Sequence, residues 1–554
     1  MTAHSTRRAL LGALVTAAAG AFAPAQAWIT FTDQTATRLP TSASFLNDTD
    51  EKDFCIVDID HDGDLDFFDV QKNDIYATVS PRTHRLLLNT GTGSFIEGSA
   101  AYVPDFATHP SIGRLGIAKD FDGDGWEDLV VVNTNPSGAS GANTQQLEMY
   151  RNLGNDANGQ WLGMVYDTAG RFPQYTAPAA RFCAGDAGDY DLDGDQDLYL
   201  GDYNNSLEDK LLFNNGAGIF TDVTATRIPG GTSSTFTVEI ITADFNNDGW
   251  PDIGISDGTV GLVKIRVNNG AGFFNTLVQP PNAATYTLGA GDLNNDGWID
   301  LYQGRDAQDA YNINTTTVVG SQSLTFTTQV LTNSPGTQNF AGNVNVVDMD
   351  NDGFKDIVMG DIDVDVPDCT RHATLLKNNP LASPSILSDP YLANGSCSSG
   401  CQPWHSQGTH DIAVIDINGD GHMDMIYGKC SGYTCWIQTP PPITLTLSEP
   451  APGALTLAVT NGPAFTQVFN LATLVQLPVP GTGPFFGLDA SALLLFADFF
   501  PAEPFVGFTN GSGAYTFAFP AGTFPQTQPW TWQARTAYLA PAGLTLSNVE
   551  TKTF

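Results

Sequence analysis

The residues best suited to chemistry in this sequence are aspartates that recur in short acidic segments. Seven nine-residue segments share one pattern: Asp at position 1, Asp or Asn at position 3, Asp at position 5, Gly at position 6 and Asp at position 9. These segments, called loops 1 to 7, begin at Asp58, Asp120, Asp189, Asp244, Asp292, Asp348 and Asp416. Their starts are 48 to 69 residues apart, so the pattern is an internal repeat and not a chance match.

This spacing of acids indicates calcium binding. Ca²⁺ takes about six to eight oxygen ligands, and oxygens at alternate positions of a tight loop converge on one point. Gly at position 6 permits the sharp turn, position 7 supplies its backbone carbonyl, and Asp at position 9 closes the ligand set. The predicted ligands, at positions 1, 3, 5, 7 and 9, are Asp58, Asp60, Asp62, Asp64, Asp66, Asp120, Asp122, Asp124, Trp126, Asp128, Asp189, Asp191, Asp193, Asp195, Asp197, Asp244, Asn246, Asp248, Trp250, Asp252, Asp292, Asn294, Asp296, Trp298, Asp300, Asp348, Asp350, Asp352, Phe354, Asp356, Asp416, Asn418, Asp420, His422 and Asp424.

The sequence around the loops distinguishes them from EF-hands. An EF-hand continues as a helix and places a Glu at position 12, which none of the seven loops has. Apolar, strand-like runs flank the loops instead, such as residues 129–132 after loop 2 and 412–415 before loop 7. Each loop is therefore predicted to join two strands.

The charge balance supports the same interpretation. The chain has 60 Asp and Glu against 23 Lys and Arg, a net charge of −37, and 28 of the acids lie in the seven loops. Carboxylates crowded in this way repel one another unless a cation neutralises them. We therefore expect Ca²⁺ as a structural cofactor, about one ion per repeat. With so few basic residues, nucleic acid is not an expected partner.

The segments between the loops predict the elements that hold them. Each repeat of about 60 residues contains four strand-like runs, which is typical of a β-propeller blade. Residues 31–40 match residues 220–229, which contain a fourth strand, at eight of ten positions. The earlier segment is therefore predicted to complete the last blade, because this removes an exposed sheet edge. The predicted fold is all-β, with a seven-bladed β-propeller over residues 28–440 closed by an N-terminal strand.

These loops and strands resemble FG-GAP/VCBS repeats, the calcium-bearing blades of alpha-integrin heads, certain fungal and bacterial lectins and many exported bacterial proteins. The resemblance covers residues 28 to about 440. It implies that a calcium loop joins the first and second strands of each blade and stabilises it, while ligands bind elsewhere. The resemblance leaves the ligand open, since propellers of one shape do many jobs.

Residues 1–27 are predicted to be an export signal. Arg7 and Arg8 precede an apolar run over residues 9–23, and Ala25-Gln26-Ala27 is a cleavage motif. The signal is of either the ordinary secretory or the twin-arginine type. The apolar run is shorter than the roughly 18 residues that span a membrane, and no later segment qualifies. We expect a mature chain without a transmembrane segment that is periplasmic, at the cell surface or extracellular.

Residues 441–554 are predicted to form a small C-terminal β-sandwich. Alternating runs such as 443–447 and 515–519 lie between Pro- and Gly-rich turns. From residue 443 onward there is no Cys or His and there are only seven charged residues, so catalysis there is not expected. Attachment, sorting or glycan contact through Trp530 and Trp532 are open functions, and packing of both side chains in the core is the alternative.

The sequence predicts no catalytic residues, and the motifs HExxH and GxxxxGK[ST] are absent. The main interpretation is a binding or adhesion protein for carbohydrate or for an extracellular or cell-surface protein. The alternative is a polysaccharide lyase or hydrolase that uses loops on the face opposite the calcium sites, and a structural surface protein is the third interpretation. The polar residues predicted on that face are Arg181, Tyr203, Arg305, Asp306, His109, His405 and His410.

The cysteines suggest two kinds of site. Cys55 and Cys183 precede calcium loops and are predicted to be buried free thiols. Cys430 and Cys435 flank a hairpin-like turn and are predicted to form a disulfide in an exported protein. A second group has a spacing that zinc could use, or its cysteines form a disulfide with Cys369 as a further partner. This group is Cys397, Cys401, His405 and His410.

Overall fold

The computed structural model describes residues 29–553 with internal gaps. The segments outside the description are 73–79, 137–145, 177–178, 204–207, 232–235, 258–261, 282–284, 306–308, 332–340, 362–371, 380–386, 390–401, 440–443, 449–454, 461–466, 474–505, 509–513, 520–530, 541–542 and 547–549. The chain divides into two compact units. The first contains Phe31–Pro440 and Leu539–Leu544, and the second contains Pro441–Tyr538 and Thr545–Phe554.

The first unit is a seven-bladed β-propeller. Each blade is a four-stranded antiparallel sheet, and one of the seven acidic loops joins its first and second strands, as predicted. From the innermost to the outermost strand, the blades are: blade 1, β2 Glu51–Val57, β3 Asp66–Lys72, β4 Arg85–Asn89, β5 Phe95–Glu97; blade 2, β6 Gly113–Lys119, β7 Asp128–Asn133, β8 Glu148–Asn152, β9 Met164–Tyr166; blade 3, β10 Phe182–Gly188, β11 Asp197–Asp202, β12 Lys210–Phe213, β13 Thr221–Asp222; blade 4, β14 Thr237–Ala243, β15 Asp252–Asp257, β16 Leu262–Val267, β17 Thr276–Val278; blade 5, β18 Thr285–Gly291, β19 Asp300–Arg305, β20 Ala310–Asn314, β21 Phe326–Val330; blade 6, β22 Ala341–Val347, β23 Asp356–Asp361, β24 Thr374–Asn378, β25 Leu387–Ser388; blade 7, β26 Thr409–Ile415, β27 Asp424–Lys429, β28 Gly432–Gln438, β1 Phe31–Asp33.

The N-terminal strand closes the ring. β1 pairs antiparallel with β28, so that Phe31 lies opposite Gln438 and Asp33 opposite Trp436. The backbone N–H of Gln34 then donates to the carbonyl of Cys435 at 2.9 Å. The outermost strand of the last blade is thus supplied by the start of the propeller, and the predicted closure is confirmed.

Short helices follow some of the outer strands. Within the described residues they are α1 Thr35–Arg38, α2 Ala43–Leu46, α3 Ser99–Tyr102, α4 Asp105–Thr108 and α5 Thr224–Arg227. Helices α1 and α5 follow β1 and β13, which accounts for the sequence match between residues 31–40 and 220–229. None of these described helices has the length and apolarity that crossing a bilayer requires.

The core of the propeller lies between neighbouring blades. The second strand of a blade is covered on both faces, as in β7, whose six residues are all buried and whose four central residues are apolar. The outermost strands face solvent, and both residues of β13 are exposed. Between blades 2 and 3, Phe121, Val130 and Leu198 pack in one apolar cluster. Each blade therefore depends on its neighbours for burial of its apolar surface.

The second unit is also built from β-strands. Its strands are β29 Thr444–Ser448, β30 Leu455–Thr460, β31 Gln467–Thr473, β32 Val506–Phe508, β33 Tyr515–Phe519, β34 Thr531–Ala540, β35 Gly543–Leu546 and β36 Glu550–Thr553. Strands β29, β30 and β33 form one sheet, and β32, β31, β34 and β35 form another, with β36 paired to β34. Two sheets agree with the predicted sandwich. Trp532 lies on β34, and Trp530 lies outside the described residues.

Candidate metal centres

The seven acidic loops share one backbone conformation. Gly at position 6 has a positive φ in every loop, between 85° and 101°. Position 4 is also left-handed in every loop, with φ between 52° and 74°. This conformation favours Gly and Asn, which occupy position 4 in five of the seven loops. The enrichment of position 4 in Gly and Asn is the sequence signal for this left-handed conformation, and the prediction did not include it.

Carboxylates at positions 1 and 5 hold the turn. At position 1, an oxygen accepts a hydrogen bond from the N–H of position 6 at 2.7–3.2 Å in every loop. At position 5, an oxygen accepts from the N–H of position 7 at 2.9–3.3 Å in every loop. These bonds anchor both carboxylates to the turn that carries the remaining predicted ligands.

The carboxylate at position 9 joins the loop to the third strand and is buried in every loop. One oxygen accepts from the N–H of position 2, at 2.8–3.3 Å. The other accepts from the N–H of an Asn or Gln at the end of the third strand, at 2.7–2.9 Å. Burial raises the pKa of Asp66 and Asp197 to about 8 and that of Asp252 to about 7. A cation in the loop would favour the ionised form.

Four loops gather carboxylates closely enough to hold a metal ion. Loops 1, 2, 3 and 6 have Asp at position 3 and are called Asp-loops. In each, three carboxylates place one oxygen apiece within 4.8 Å of one another. The clusters are Asp58, Asp60 and Asp62; Asp120, Asp122 and Asp128; Asp189, Asp191 and Asp197; and Asp348, Asp350 and Asp356.

The position 3 carboxylates of loops 1 to 3 test whether a metal fits. One oxygen each of Asp60, Asp122 and Asp191 is buried and accepts no hydrogen bond within the described part of the chain. A buried carboxylate oxygen without a donor is costly, and a hard cation satisfies it. The donor set therefore fits Ca²⁺. Once bound, the ion supplies positive charge that neutralises the crowded carboxylates.

Loops 4, 5 and 7 have Asn at position 3 and are called Asn-loops. The amide nitrogens of Asn246, Asn294 and Asn418 donate to the position 5 carboxylate at 2.9–3.1 Å. The amide oxygens accept from the N–H of position 5 at 3.0–3.1 Å. An Asn-loop therefore lacks the negative charge at position 3, and its amide stabilises the position 5 carboxylate through a hydrogen bond.

Loops 1 and 3 carry a further acid at position 7. Asp64 and Asp195 each have a buried oxygen that accepts no hydrogen bond from the described residues. Burial and the neighbouring position 5 carboxylate raise the pKa of each to about 6. The sequence prediction used only the backbone carbonyl at position 7, so these side chains are additional candidate ligands. Loops 1 and 3 consequently have a carboxylate at each of the five predicted ligand positions.

Loop 6 differs from the other Asp-loops because a lysine reaches into it. Lys377 of β24 donates from Nζ to the carboxylate of Asp350 and, at 3.0 Å, to Oδ2 of Asp352. Arg151 occupies the same place on β8, but its Nε lies 4.0 Å from Asp122. Within the described residues, loop 6 therefore has a counter-ion from its own blade.

A ring of amides that the sequence analysis missed links each loop to the next blade. An Asn or Gln lies at the end of the third strand of every blade or directly after it, and the side-chain nitrogen of this residue donates to the position 2 carbonyl in the loop of the preceding blade. These bonds measure 2.6–3.4 Å. The residues are Asn89, Asn152, Asn214, Asn268, Asn314, Asn378 and Gln438. The ring closes because Gln438 reaches blade 6 and Asn89 reaches blade 7.

Neighbouring loops also contact each other directly. Asn247, Asn295 and Asn351, at position 4 of loops 4 to 6, donate to the position 6 carbonyl of the following loop at 2.8–2.9 Å. Loops 1 and 2 are linked by His61, whose Nε2 lies 2.6 Å from Oε2 of Glu127. Loops 4 to 7 thus form a continuous relay of hydrogen bonds.

The residues considered for a lyase do not all meet in one place. Arg181 lies 5.2 Å from the ring centre of Tyr203. His109 stacks on Tyr166 of the outermost strand of blade 2, at 3.8 Å. Arg305 ends β19 in blade 5. The remaining positions are His405, which is buried and accepts from the N–H of Gln402, His410 on β26, and Asp306, which lies outside the described residues.

The structure confirms one cysteine prediction and contradicts another. Cys55 and Cys183 are buried free thiols, as predicted. Cys435 is also a buried free thiol, so the predicted disulfide between Cys430 and Cys435 is wrong. The hairpin register explains the error, because Cys435 lies opposite Ile426 on β27. Of the predicted zinc or disulfide group, Cys397 and Cys401, together with Cys369, lie outside the described residues.

Solved structures of three other proteins align with the chain. A lectin of Agrocybe aegerita, described as recognising non-reducing terminal N-acetylglucosamine, shares 16% identity at a TM-score of 0.40, covering 62% of this chain and 81% of the lectin. PorZ, a surface component of the type IX secretion system of Porphyromonas gingivalis, shares 10% sequence identity at a TM-score of 0.45, and the alignment covers 93% of this chain and 60% of PorZ. A V. cholerae biofilm matrix protein shares 10% sequence identity at a TM-score of 0.28, and the alignment covers 95% of this chain and 70% of that protein.

The repeats themselves match a known family. No significant match is found among curated proteins. The FG-GAP-like repeat matches residues 189–255 and 244–303, which contain loops 3 to 5. The loops outside this range have the same backbone turns and the same position 9 contacts. The chain therefore contains FG-GAP-like repeats, arranged as the blades of a seven-bladed β-propeller.

Proposed function

We propose that this protein is an exported, calcium-stabilised β-propeller that acts as a non-catalytic binding or adhesion protein. Its partner is a carbohydrate or an extracellular or cell-surface protein. The observation that carries the proposal is the unsatisfied, buried carboxylate oxygen at position 3 of loops 1 to 3. A cation bound there is held inside the loop, which leaves the faces and the axis of the propeller available to a partner.

The distribution of the loops supports a structural role for the metal. A catalytic metal is normally single and keeps an open coordination position for substrate. Here one loop occurs in each blade. We propose that the residues at positions 1, 3, 5, 7 and 9 of each loop, as predicted from the sequence, are the ligands of its calcium ion. Extracellular calcium modules bind with Kd of about 10⁻⁴–10⁻³ M, which suits calcium-rich surroundings outside the cell. This agrees with the export signal predicted for residues 1–27, which lie outside the described residues.

The enzymatic alternative receives less support from the geometry. β-Elimination needs a base and a cationic side chain at the same uronate. Arg181 and Tyr203 are adjacent, whereas His109 and Arg305 lie on other blades, at an outer strand and at the end of β19 respectively. A structural surface protein without a soluble ligand remains the third hypothesis.

A single screen separates the three hypotheses. The mature, calcium-loaded protein is tested against a panel of glycans and extracellular proteins for binding, and against acidic polysaccharides for cleavage. Binding without release of fragments is the expected result. Release of unsaturated fragments would establish a lyase, release of saturated fragments would establish a hydrolase, and neither binding nor cleavage would leave the structural role. The chelated protein serves as the control for calcium dependence.

A further inference from the structure

A polar cavity lies along the axis of the propeller. It has a volume of about 500 Å³ and is lined mainly by the first strands of the blades. In six blades, the strand pairing places one residue of the first strand opposite the residue that lies four positions after position 9 of the loop. These first-strand residues are therefore equivalent to one another, and they are Asp53, Leu115, Ala184, Glu239, Thr287 and Asp411. Around the axis, Leu115 and Ala184 of blades 2 and 3 therefore form an apolar side, and the equivalent residues of the other blades form an acidic and polar side.

The cations of the cavity are already paired. Nη1 of Arg114 lies 3.0 Å from Oε1 of Glu51. Nζ of Lys72 lies 3.1 Å from Oδ1 of Asp53. Both ammonium and guanidinium groups are thus close to carboxylates of blade 1. An anionic ligand would have to compete with these ion pairs.

Two other acids of the cavity region hold adjacent blades together. Asp186 accepts from the N–H of Thr242 at 2.8 Å, across blades 3 and 4. Asp411 accepts from the N–H of Phe54 at 2.6 Å, across blades 7 and 1. Their carboxylates have structural partners in the backbone.

Glu239 is different, because it forms neither a hydrogen bond nor an ion pair within the described part of the chain. Its half-buried side chain lines the cavity. Burial raises its pKa to about 8, although Lys72 acts in the opposite direction. A cation beside Glu239 favours its ionised form, and the lining then has the four carboxylates of Glu51, Asp53, Asp186 and Glu239 against the cations of Lys72 and Arg114. A positive group placed there gains from the low local dielectric constant.

Two nearly inaccessible side chains also line the cavity, and each has one polar atom without a hydrogen-bond partner among the described residues. Thr287 is 3% exposed, and its Oγ1 has no hydrogen-bond partner among the described residues. His410 is 7% exposed, and its Nδ1 likewise has none, while its Nε2 lies 3.5 Å from Sγ of Cys430. Burial lowers the pKa of His410 to about 3, so the imidazole is neutral. Buried polar atoms without partners are rare, and these point to a ligand that supplies hydrogen-bond donors.

We propose that the axial cavity binds a primary ammonium group carried by a small polar molecule, with Glu239 as counter-ion and Thr287 Oγ1 as a hydrogen-bond acceptor. An ammonium has three donors, which matches acceptors on one side of the cavity. The apolar side, with Leu115 and Ala184, contacts the carbon skeleton of the ligand. The volume is within the range of about 300–1,000 Å³ typical of small-molecule sites. This inference rests on the proposed binding function and names its ligand class.

Calorimetric titration of the mature, calcium-loaded protein tests the ligand class. Glucosamine and 1,5-diaminopentane are compared with N-acetylglucosamine and glucose, which lack a charged amine. At least one of the two amines should bind about tenfold or more tightly than either neutral sugar, since hydrogen bonds to charged groups are roughly twice as strong as neutral ones. The two amines distinguish an amino sugar from an aliphatic amine as the source of the ammonium.

Three variants place the site. Glu239→Gln should lower amine affinity about tenfold or more, whereas Glu97→Gln, an exposed acid on β5, should leave it unchanged. Thr287→Val should lower it several-fold without lowering the melting temperature, because the hydroxyl has no described partner to lose.

Equal affinity for amines and neutral sugars, or an unaltered affinity in Glu239→Gln, would overturn the inference. Either result leaves the proposed function standing if the panel of glycans and proteins shows binding. If the protein binds no member of that panel, whether or not it binds the two amines, the proposed function itself is refuted.

Discussion

The Asp-loops and the Asn-loops have the same backbone but differ in the groups that stabilise their carboxylates. Both have left-handed residues at positions 4 and 6 and a position 9 carboxylate bonded to two backbone N–H groups. In loops 1 to 3 the position 3 carboxylate leaves a buried oxygen without a donor, whereas Asn246 and its equivalents donate to the position 5 carboxylate. The exchange of one carboxylate oxygen for an amide nitrogen therefore determines how strongly a loop needs a cation.

The two kinds of loop are also unevenly placed around the ring. Loops 1 to 3 are consecutive Asp-loops, while loops 4, 5 and 7 are Asn-loops and loop 6 is the Asp-loop that receives Lys377. Loops 4 to 7 are further connected by the position 4 relay of Asn247, Asn295 and Asn351. We infer that blades 1 to 3 depend on calcium, whereas blades 4 to 7 are held largely by side chains of the chain itself.

Removing calcium should have the largest effect and should act first on blades 1 to 3. A site occupied at one hundred times its Kd contributes about 2.7 kcal/mol, so three sites approach the whole stability of a typical domain. Excess chelator should lower the melting temperature strongly. Hydrogen exchange followed by mass spectrometry should show loss of protection in blades 1 to 3 before blades 4 to 7. An unchanged melting curve with the metal confirmed absent, or uniform loss of protection, would contradict this.

Converting Asp-loops into Asn-loops should weaken the dependence of stability on calcium and stabilise the calcium-free protein. In the triple variant Asp60→Asn, Asp122→Asn and Asp191→Asn, calcium should raise the melting temperature much less than in the wild type. In chelator the variant should be more stable than the wild type, by about 1 kcal/mol or more per loop, because each buried unsatisfied oxygen is lost. The reverse change Asn294→Asp, in loop 5, is the control and should increase calcium dependence. Thermal unfolding with and without chelator measures both.

Lys377→Met should make loop 6 behave like loops 1 to 3. Without the ammonium, the affinity of loop 6 for calcium should rise about tenfold, and stability in chelator should fall by about 1–3 kcal/mol because two carboxylates lose their partner. Lys355→Met, an exposed lysine at position 8 of the same loop, removes the same net charge as a control. Calcium titration by calorimetry distinguishes the two, and equal behaviour of both variants would show that only net charge matters.

The smallest expected effect separates backbone conformation from charge. Leu192 has a φ of 52° at position 4 of loop 3 and is 48% exposed. Because Asn tolerates this left-handed conformation better than Leu, Leu192→Asn should raise the free energy of unfolding by about 0.5–1 kcal/mol. The gain should be the same with calcium and with chelator, as measured by denaturant unfolding. A gain seen only with calcium would mean that position 4 acts through the metal.

Much of the propeller could be predicted because its signals are local. The Asp and Gly spacing of a loop lies within nine residues, and the closing strand was visible as a repeat of residues 220–229 at residues 31–40. The amide ring was not predicted, because Asn152 and Ile59 are 93 residues apart and meet only after blades 1 and 2 pack. The Cys430–Cys435 bridge failed for a related reason. Proximity in sequence does not reveal that strand register places Cys435 opposite Ile426.

The sequence by itself determined the number of blades and the turn in each loop, and it predicted the candidate calcium ligands, because these depend on the conformational preferences of Gly and the spacing of a few acids. Only the tertiary structure decided which of those acids lack partners. Whether a carboxylate has a partner depends on its burial and on groups from other strands. Lys377 supplies such a group for Asp350, whereas Glu239 faces the axial cavity. These environments form where blades meet, and no local sequence pattern encodes them.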